Sequence, residues 1–206
     1  MNESVREFGA QKSAGLTAIM NEYYRLAYIR KPEFMGNSRT EEKDPKFKEV
    51  SDLPWSEQEI KKRIAEYDKI AEKVIQLSKS IPVEKQNAWF ELVEYPVRGA
   101  AELNKKILYG QLAKHGLAKW SDSDAAFETI GKLTAKYNAL ANGKWKNMMD
   151  DKPRNLAVFQ KLPQVKSLTP LIQFKAPFAK INGNQFTKFE GDKPVAHGLG
   201  YESAAV

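Results

Sequence analysis

The chain has 206 residues, 42% of them hydrophobic, 11% aromatic and 29% charged, which is enough to bury one good-sized core and unlike a disordered chain. It has no cysteine, which excludes disulfides, thiol nucleophiles and Cys-type zinc sites without fixing the compartment, and it has no apolar run near the roughly 18 residues that cross a bilayer. The net charge of +7 sits mostly in the last third, where its lysines are spread singly among Pro, Gly and apolar residues rather than in the patch or stripe that nucleic acid requires, so neither nucleic acid nor a membrane is expected as a partner.

The first helix is expected from about Val5 to Ile29, with Phe8, Leu16, Ile19, Met20, Tyr23, Tyr24, Leu26 and Tyr28 as its apolar content. Met1-Asn2-Glu3-Ser4 before it is too acidic and polar to open a secretory signal. Pro32 stops the helix, because the residue before a proline is pushed out of the α region. The Pro, Gly, Asn and charge-rich stretch from Pro32 to Pro54 then reads as a long exposed connection.

Ser56 and Glu59 form an S-x-x-E capping box at the start of a second helix. Ile60, Ile64, Tyr67, Ala71 and Val74 follow at spacings of three and four, so they share one face, and Pro82 is expected to close the helix. A third helix spans about Val83 to Lys114, kinked at Pro96, with Gly99-Ala100-Ala101 permitting a close neighbour, and it ends at Gly116. A fourth begins at Ser121 or Asp122 and stops at Asn142-Gly143. Beyond Trp145, Pro163, Pro170, Pro177 and Pro194 with several glycines forbid another long helix, and Asn182-Gly183 is a hairpin signal. The expected fold is mainly α: an antiparallel four- to five-helix bundle over residues 1–150, then an irregular, partly β tail over 151–206. That tail either wraps the bundle or begins a neighbouring domain.

Catalytic patterns are scarce. His115 and His197 are too few for a His-based metal centre, and no H-E-x-x-H, G-x-S-x-G or P-loop pattern is present. His115, beside a helix-ending glycine, reads as a solvent-exposed histidine favoured by the helix dipole. No catalytic residue, metal ligand or cofactor is assigned.

Four stretches in order, "NEYYRLAYIRKPEFMG", "LPWSEQEIKKRIAEYDKIA", "WFELVEYPVRGAAELNKKILYGQ" and "NGKWKNMMDDKPRNLAVFQ", resemble the helical region of glycoside hydrolase family 115. The resemblance covers about residues 15 to 160, and "VAHGLGYESAAV" resembles the link into that family's C-terminal β-sandwich. It implies a large, multidomain xylan α-1,2-glucuronidase, periplasmic or secreted, that removes glucuronic or 4-O-methylglucuronic acid. The catalytic carboxylates of such an enzyme lie on an (α/β)8 barrel preceding this region. A barrel needs about 250 residues and none precedes Val5 here, so no catalytic residue is carried over.

On that resemblance the chain is expected to be a non-catalytic helical module, inactive alone, that packs on the barrel, completes its cleft or mediates dimerisation. Its partners would be the barrel and β-sandwich domains, glucuronoxylan and a second copy. The alternative is a free-standing carbohydrate-binding or helical scaffold protein. Candidate interface or substrate residues are Arg30, Glu33, Trp89, Tyr95 and Arg98. The two arginines sit at helix breaks beside aromatics, and a guanidinium fork matches a uronic-acid carboxylate. The competing reading has Arg30 capping its own helix, Arg98 paired with Glu94 one turn away, and both aromatic rings packed at the kink.

Overall fold

The computed structural model describes residues 8, 10–36, 50–167 and 170–171, and the backbone of 179–182, 185–190 and 193–195. Four helices form the bundle. Helix α1 spans Ala10–Ile29 and α2 spans Glu57–Ser78. Helix α3 runs through three consecutive segments, Gln86–Trp89, a π turn at Phe90–Glu94, and Tyr95–Lys114. Helix α4 spans Trp120–Gly143. The expected start of α1 at Val5 lies outside the described residues. No described helix is long and apolar enough to cross a membrane.

The start of α2 follows its sequence signal. The Glu59 amide donates to Ser56 Oγ at 3.3 Å and the Ser56 amide donates to Glu59 Oε2 at 2.7 Å, so two otherwise orphaned donors are satisfied. Its buried face is Ile60, Arg63, Ile64, Tyr67, Ile70 and Val74; burying a large apolar side chain there contributes about 1.5–3 kcal/mol. The helix stops at Ser78, before Pro82. Gln86 Nε2 donates to the carbonyls of Ser78 and Ile81 at 2.8 and 2.7 Å and thereby caps the end.

The expected kink of α3 is absorbed differently. Pro96 has no amide to give to an i−4 carbonyl, which in a regular helix interior costs about 3 kcal/mol. The turn before it widens instead: the Tyr95 amide reaches the Phe90 carbonyl, a π-type bond, and the proline falls at the start of the next α segment. The end at Gly116 is a Schellman motif. Leu117 N donates to Leu112 O at 2.8 Å and Gly116 N to Ala113 O at 3.0 Å, with Gly116 at φ +75. Helix α4 begins one residue earlier than expected and loses helical dihedrals at Leu140, after which Ala141, Asn142 and Gly143 are all left-handed.

Helix α3 packs against both α2 and α4, and α1 packs on α2. Three apolar clusters result. One joins α1, α2 and the first half of α3 around Leu26, Tyr67, Val74 and Trp89. A second gathers Met35, Leu53, Ile60, Ile107, Leu112, Val158 and Leu162. The third holds Phe90, Leu133, Tyr137 and Leu140. The second corrects the picture of an exposed connection after Pro32, because Met35 and Leu53, at its two ends, are buried; residues 37–49 between them lie outside the described residues. It also draws Val158 and Leu162, from beyond residue 150, into the bundle core.

Close approach occurs at a different glycine from the one expected. A Cβ on Gly99 would meet nothing within 4 Å, whereas one on Gly110 would run into Leu162 Cδ1 and lie 3.4 Å from Ser123 Oγ. Gly99→Ala should therefore stabilise the bundle by about 0.5–1 kcal/mol through helix propensity, whereas at Gly110 overpacking against Leu162 should outweigh that same gain and leave a net loss of up to about 2 kcal/mol. Paired urea melts would show midpoints moving in opposite directions; a shift in the same direction would refute the assignment.

In the tail, strands β1 (Ala179–Asn182), β2 (Gln185–Glu190) and β3 (Lys193–Val195) form an antiparallel sheet in the order β1-β2-β3. Asn182 pairs with Gln185, as the hairpin signal implied; residues 183 and 184 are outside the described set.

Candidate functional site

The five singled-out residues do not converge on one site: Tyr95 and Arg98 lie along α3, and the other three flank the two ends of α1. Trp89 meets Phe8 edge-on at 5.3 Å, near the start of α1. Arg30 and Glu33 follow the other end of that helix, about 30 Å away at 1.5 Å per residue. Trp89 is 0% exposed, and its Nε1 has no hydrogen-bond partner among the described residues, so its ring offers no face to a sugar. Tyr95 is committed to packing, 4.8 Å from the Tyr137 ring, with its hydroxyl 3.2 Å from Thr134 Oγ1. Arg98 donates to Glu94 Oε1 at 2.5 Å, one turn away, and Glu94 is buried.

Arg30 does not cap its own helix. Its Nε donates forward to Phe34 O at 2.9 Å, tying down the 3-10 turn Pro32–Phe34, and burial lowers its pKa. The cation that closes α1 is Arg63, from α2. Its Nη2 donates to Arg30 O at 2.8 Å and Leu26 O at 3.2 Å, its Nε to Asn104 Oδ1 at 2.8 Å, and its guanidinium lies 5.1 and 5.2 Å from the Trp55 and Tyr67 ring centres. One side chain thus joins α1, α2 and α3. The signal in the sequence was the i, i+4 spacing of Arg63 with Tyr67 on the apolar face.

Three further polar side chains clip non-helical segments to the bundle. Gln111 Nε2 donates to Leu53 O at 2.8 Å and Gln111 Oε1 accepts from Leu53 N at 3.0 Å, as a neighbouring strand would. Asn138 does the same with Met149, at 2.9 and 3.0 Å. Lys106, 0% exposed, donates from Nζ to the carbonyls of Val158 and Gln160 at 2.6 and 2.7 Å. Burial pushes its pKa down to about 7, against which the two short bonds favour the charged form. His115 is a correction too: its side chain is 4% exposed and its Nε2 lies 2.7 Å from Asp52 Oδ2, with Lys114 on the other oxygen at 3.1 Å.

An open groove of about 610 Å³ runs between α2 and the second half of α3, bounded by the α3–α4 turn. Leu112 and Ile64 form its apolar floor, and Lys61, Asp68, Tyr109, Lys119 and Asp122 line its sides. Burial, then Asp68, raises the Tyr109 pKa and keeps the phenol protonated. Lys105 lies behind Asp68 at 3.1 Å; burial works against its charge, and Glu102 and Asp68 overcome it and raise its pKa. Among the described residues, no group of three His, Asp or Glu side chains is placed to hold a metal ion.

Fold and side-chain clips together define an antiparallel helical bundle module whose loops are anchored by buried polar groups. No family model and no curated protein matches the chain. A solved structure described as a family GH115 4-O-methyl-α-glucuronidase, BtGH115A, with specificity for decorated arabinogalactans, is 47% identical and matches with a TM-score of 0.80. The match covers 84% of this chain and 23% of that one. The chain thus spans less than a quarter of that solved chain's length, and what it resembles is part of a family GH115 enzyme, the family to which the four ordered sequence stretches also pointed.

Proposed function

We propose that the chain serves as a non-catalytic helical module of a family 115-like α-glucuronidase. The observation that carries this reading is the 47% identity over 84% of the chain to 23% of a 4-O-methyl-α-glucuronidase. The proposed substrate chemistry of the whole enzyme is a glucuronic or 4-O-methylglucuronic acid side group. The relative's specificity is for decorated arabinogalactans, so an arabinogalactan backbone joins the xylan that the sequence resemblance implied.

The outer face of α1 supports a packing role. Tyr24 and Tyr28, one turn apart, are 62% and 77% exposed, and Phe34, in the turn after the helix end, is also exposed. In this reading they meet a neighbouring domain of the parent enzyme, with Arg30 and Glu33 at the rim. Arg98 reaches a substrate carboxylate only by giving up Glu94, and dimerisation stays a further proposed role of the same module. The module boundary is proposed after residue 167, whose amide donates to Lys114 O at 2.7 Å, rather than at 150.

The purified chain should release no glucuronic acid from aldouronic acids, glucuronoxylan or arabinogalactan under conditions where a family 115 glucuronidase does. Turnover by the chain, abolished by one of its own carboxylate substitutions, would sink the reading.

A further inference from the structure

We propose that the groove between α2 and α3 is a saccharide-binding site for a neutral hexose or pentose unit of a polysaccharide. This goes beyond a packing role and stands on the groove alone, whether or not the chain works beside a catalytic domain. The groove, about 610 Å³, is open to solvent, so it would hold a sugar unit against one face rather than enclose it.

The lining combines what a neutral sugar needs. A sugar ring has an apolar C–H face edged by hydroxyls that both donate and accept. Tyr109 supplies a half-buried aromatic ring and a neutral hydroxyl, beside the apolar floor. The flanking charges balance, Lys61 and Lys119 against Asp68 and Asp122, so the groove has no net attraction for an anion. Lys61 is bonded to Glu57, and Asp68 to Lys105. Lys119 and Asp122, both exposed, make no ion pair among the described residues and present a donor and an acceptor at the rim. Leu117, 40% exposed, extends the apolar edge.

Titrating the isotope-labelled full chain with neutral galacto-, arabino- and xylo-oligosaccharides, followed by amide NMR shifts, tests this. Saturable shifts confined to residues around 61–68 and 109–122 are expected, with affinity in the roughly millimolar range. Tyr109→Ala and Asp122→Ala should each weaken binding by about tenfold. Asp122 is on the surface, so its variant keeps the test open if Tyr109→Ala fails to fold. No saturable shifts, shifts elsewhere, shifts only with glucuronic-acid-bearing sugars, or variants binding like the parent chain would each overturn the proposal. These outcomes are independent of the turnover assay, so loss of one reading does not remove the other.

Discussion

Arg63→Met should destabilise the bundle by on the order of 3 kcal/mol, because it strips the donor from three acceptors, Leu26 O, Arg30 O and Asn104 Oδ1, and a buried polar group left unpaired costs about 1–3 kcal/mol. In urea that is a midpoint fall of roughly 1–3 M. Arg30→Ala removes one bond to Phe34 O at a partly exposed site and should cost under about 1 kcal/mol. The comparison is decisive about what ends α1. If the two variants melt alike, the closing cation has been misassigned to α2.

Lys106→Met should cost about 2–4 kcal/mol by leaving the Val158 and Gln160 carbonyls without their donor, and it should also change how stability depends on pH. The lysine's ordinary value is 10.5 and burial brings it to about 7. Between these values the unfolded chain binds a proton that the folded chain lacks, so the lysine's contribution to stability rises with pH across that window. The slope is at most about 1.4 kcal/mol per pH unit, since the carbonyl bonds oppose the shift. Below about pH 7 both states are protonated and the contribution is flat at its least favourable value. The Phe127 ring, 5.7 Å from Nζ, also has Lys152 over it at 5.5 Å, so differencing the two proteins is needed to isolate Lys106. Urea melts at pH 6, 8 and 10 should show the parent gaining on the variant. Parallel curves would mean that the ammonium stays charged throughout.

The bundle was legible in the sequence wherever a rule acts over one turn. The Ser56–Glu59 box, the stop before Pro32, the helix end at Gly116 and the apolar spacing of Ile60, Ile64, Tyr67 and Val74 each rest on sterics or on a bond spanning three to five residues. The helix-end pair Asn142-Gly143 is another instance, and the pairing of Arg98 with Glu94 is a fourth-neighbour contact of the same kind.

Long-range polar contacts were not legible. Arg63, Lys106 and Gln111 reach partners 33 to 58 residues away. In the sequence each is one more charged or amide side chain on a helix. His115 was expected in solvent and is instead closed over by Asp52, 63 residues earlier. Gly99 and Gly110 look equivalent as letters. Only the return of Leu162 over α3 crowds one of them and leaves the other open.

What this sequence determined by itself is therefore the order and extent of its helices, together with a family likeness carried by four ordered stretches. Propensity, capping and proline sterics are local, and they act before any tertiary contact forms. Which cation closes α1, which loops are anchored and by what, and where a groove with balanced charges opens between α2 and α3 were decided by the tertiary structure. Burial converts an ordinary lysine or arginine into a costly group that must find a partner, and only the packing of distant elements determines which carbonyls are within its reach.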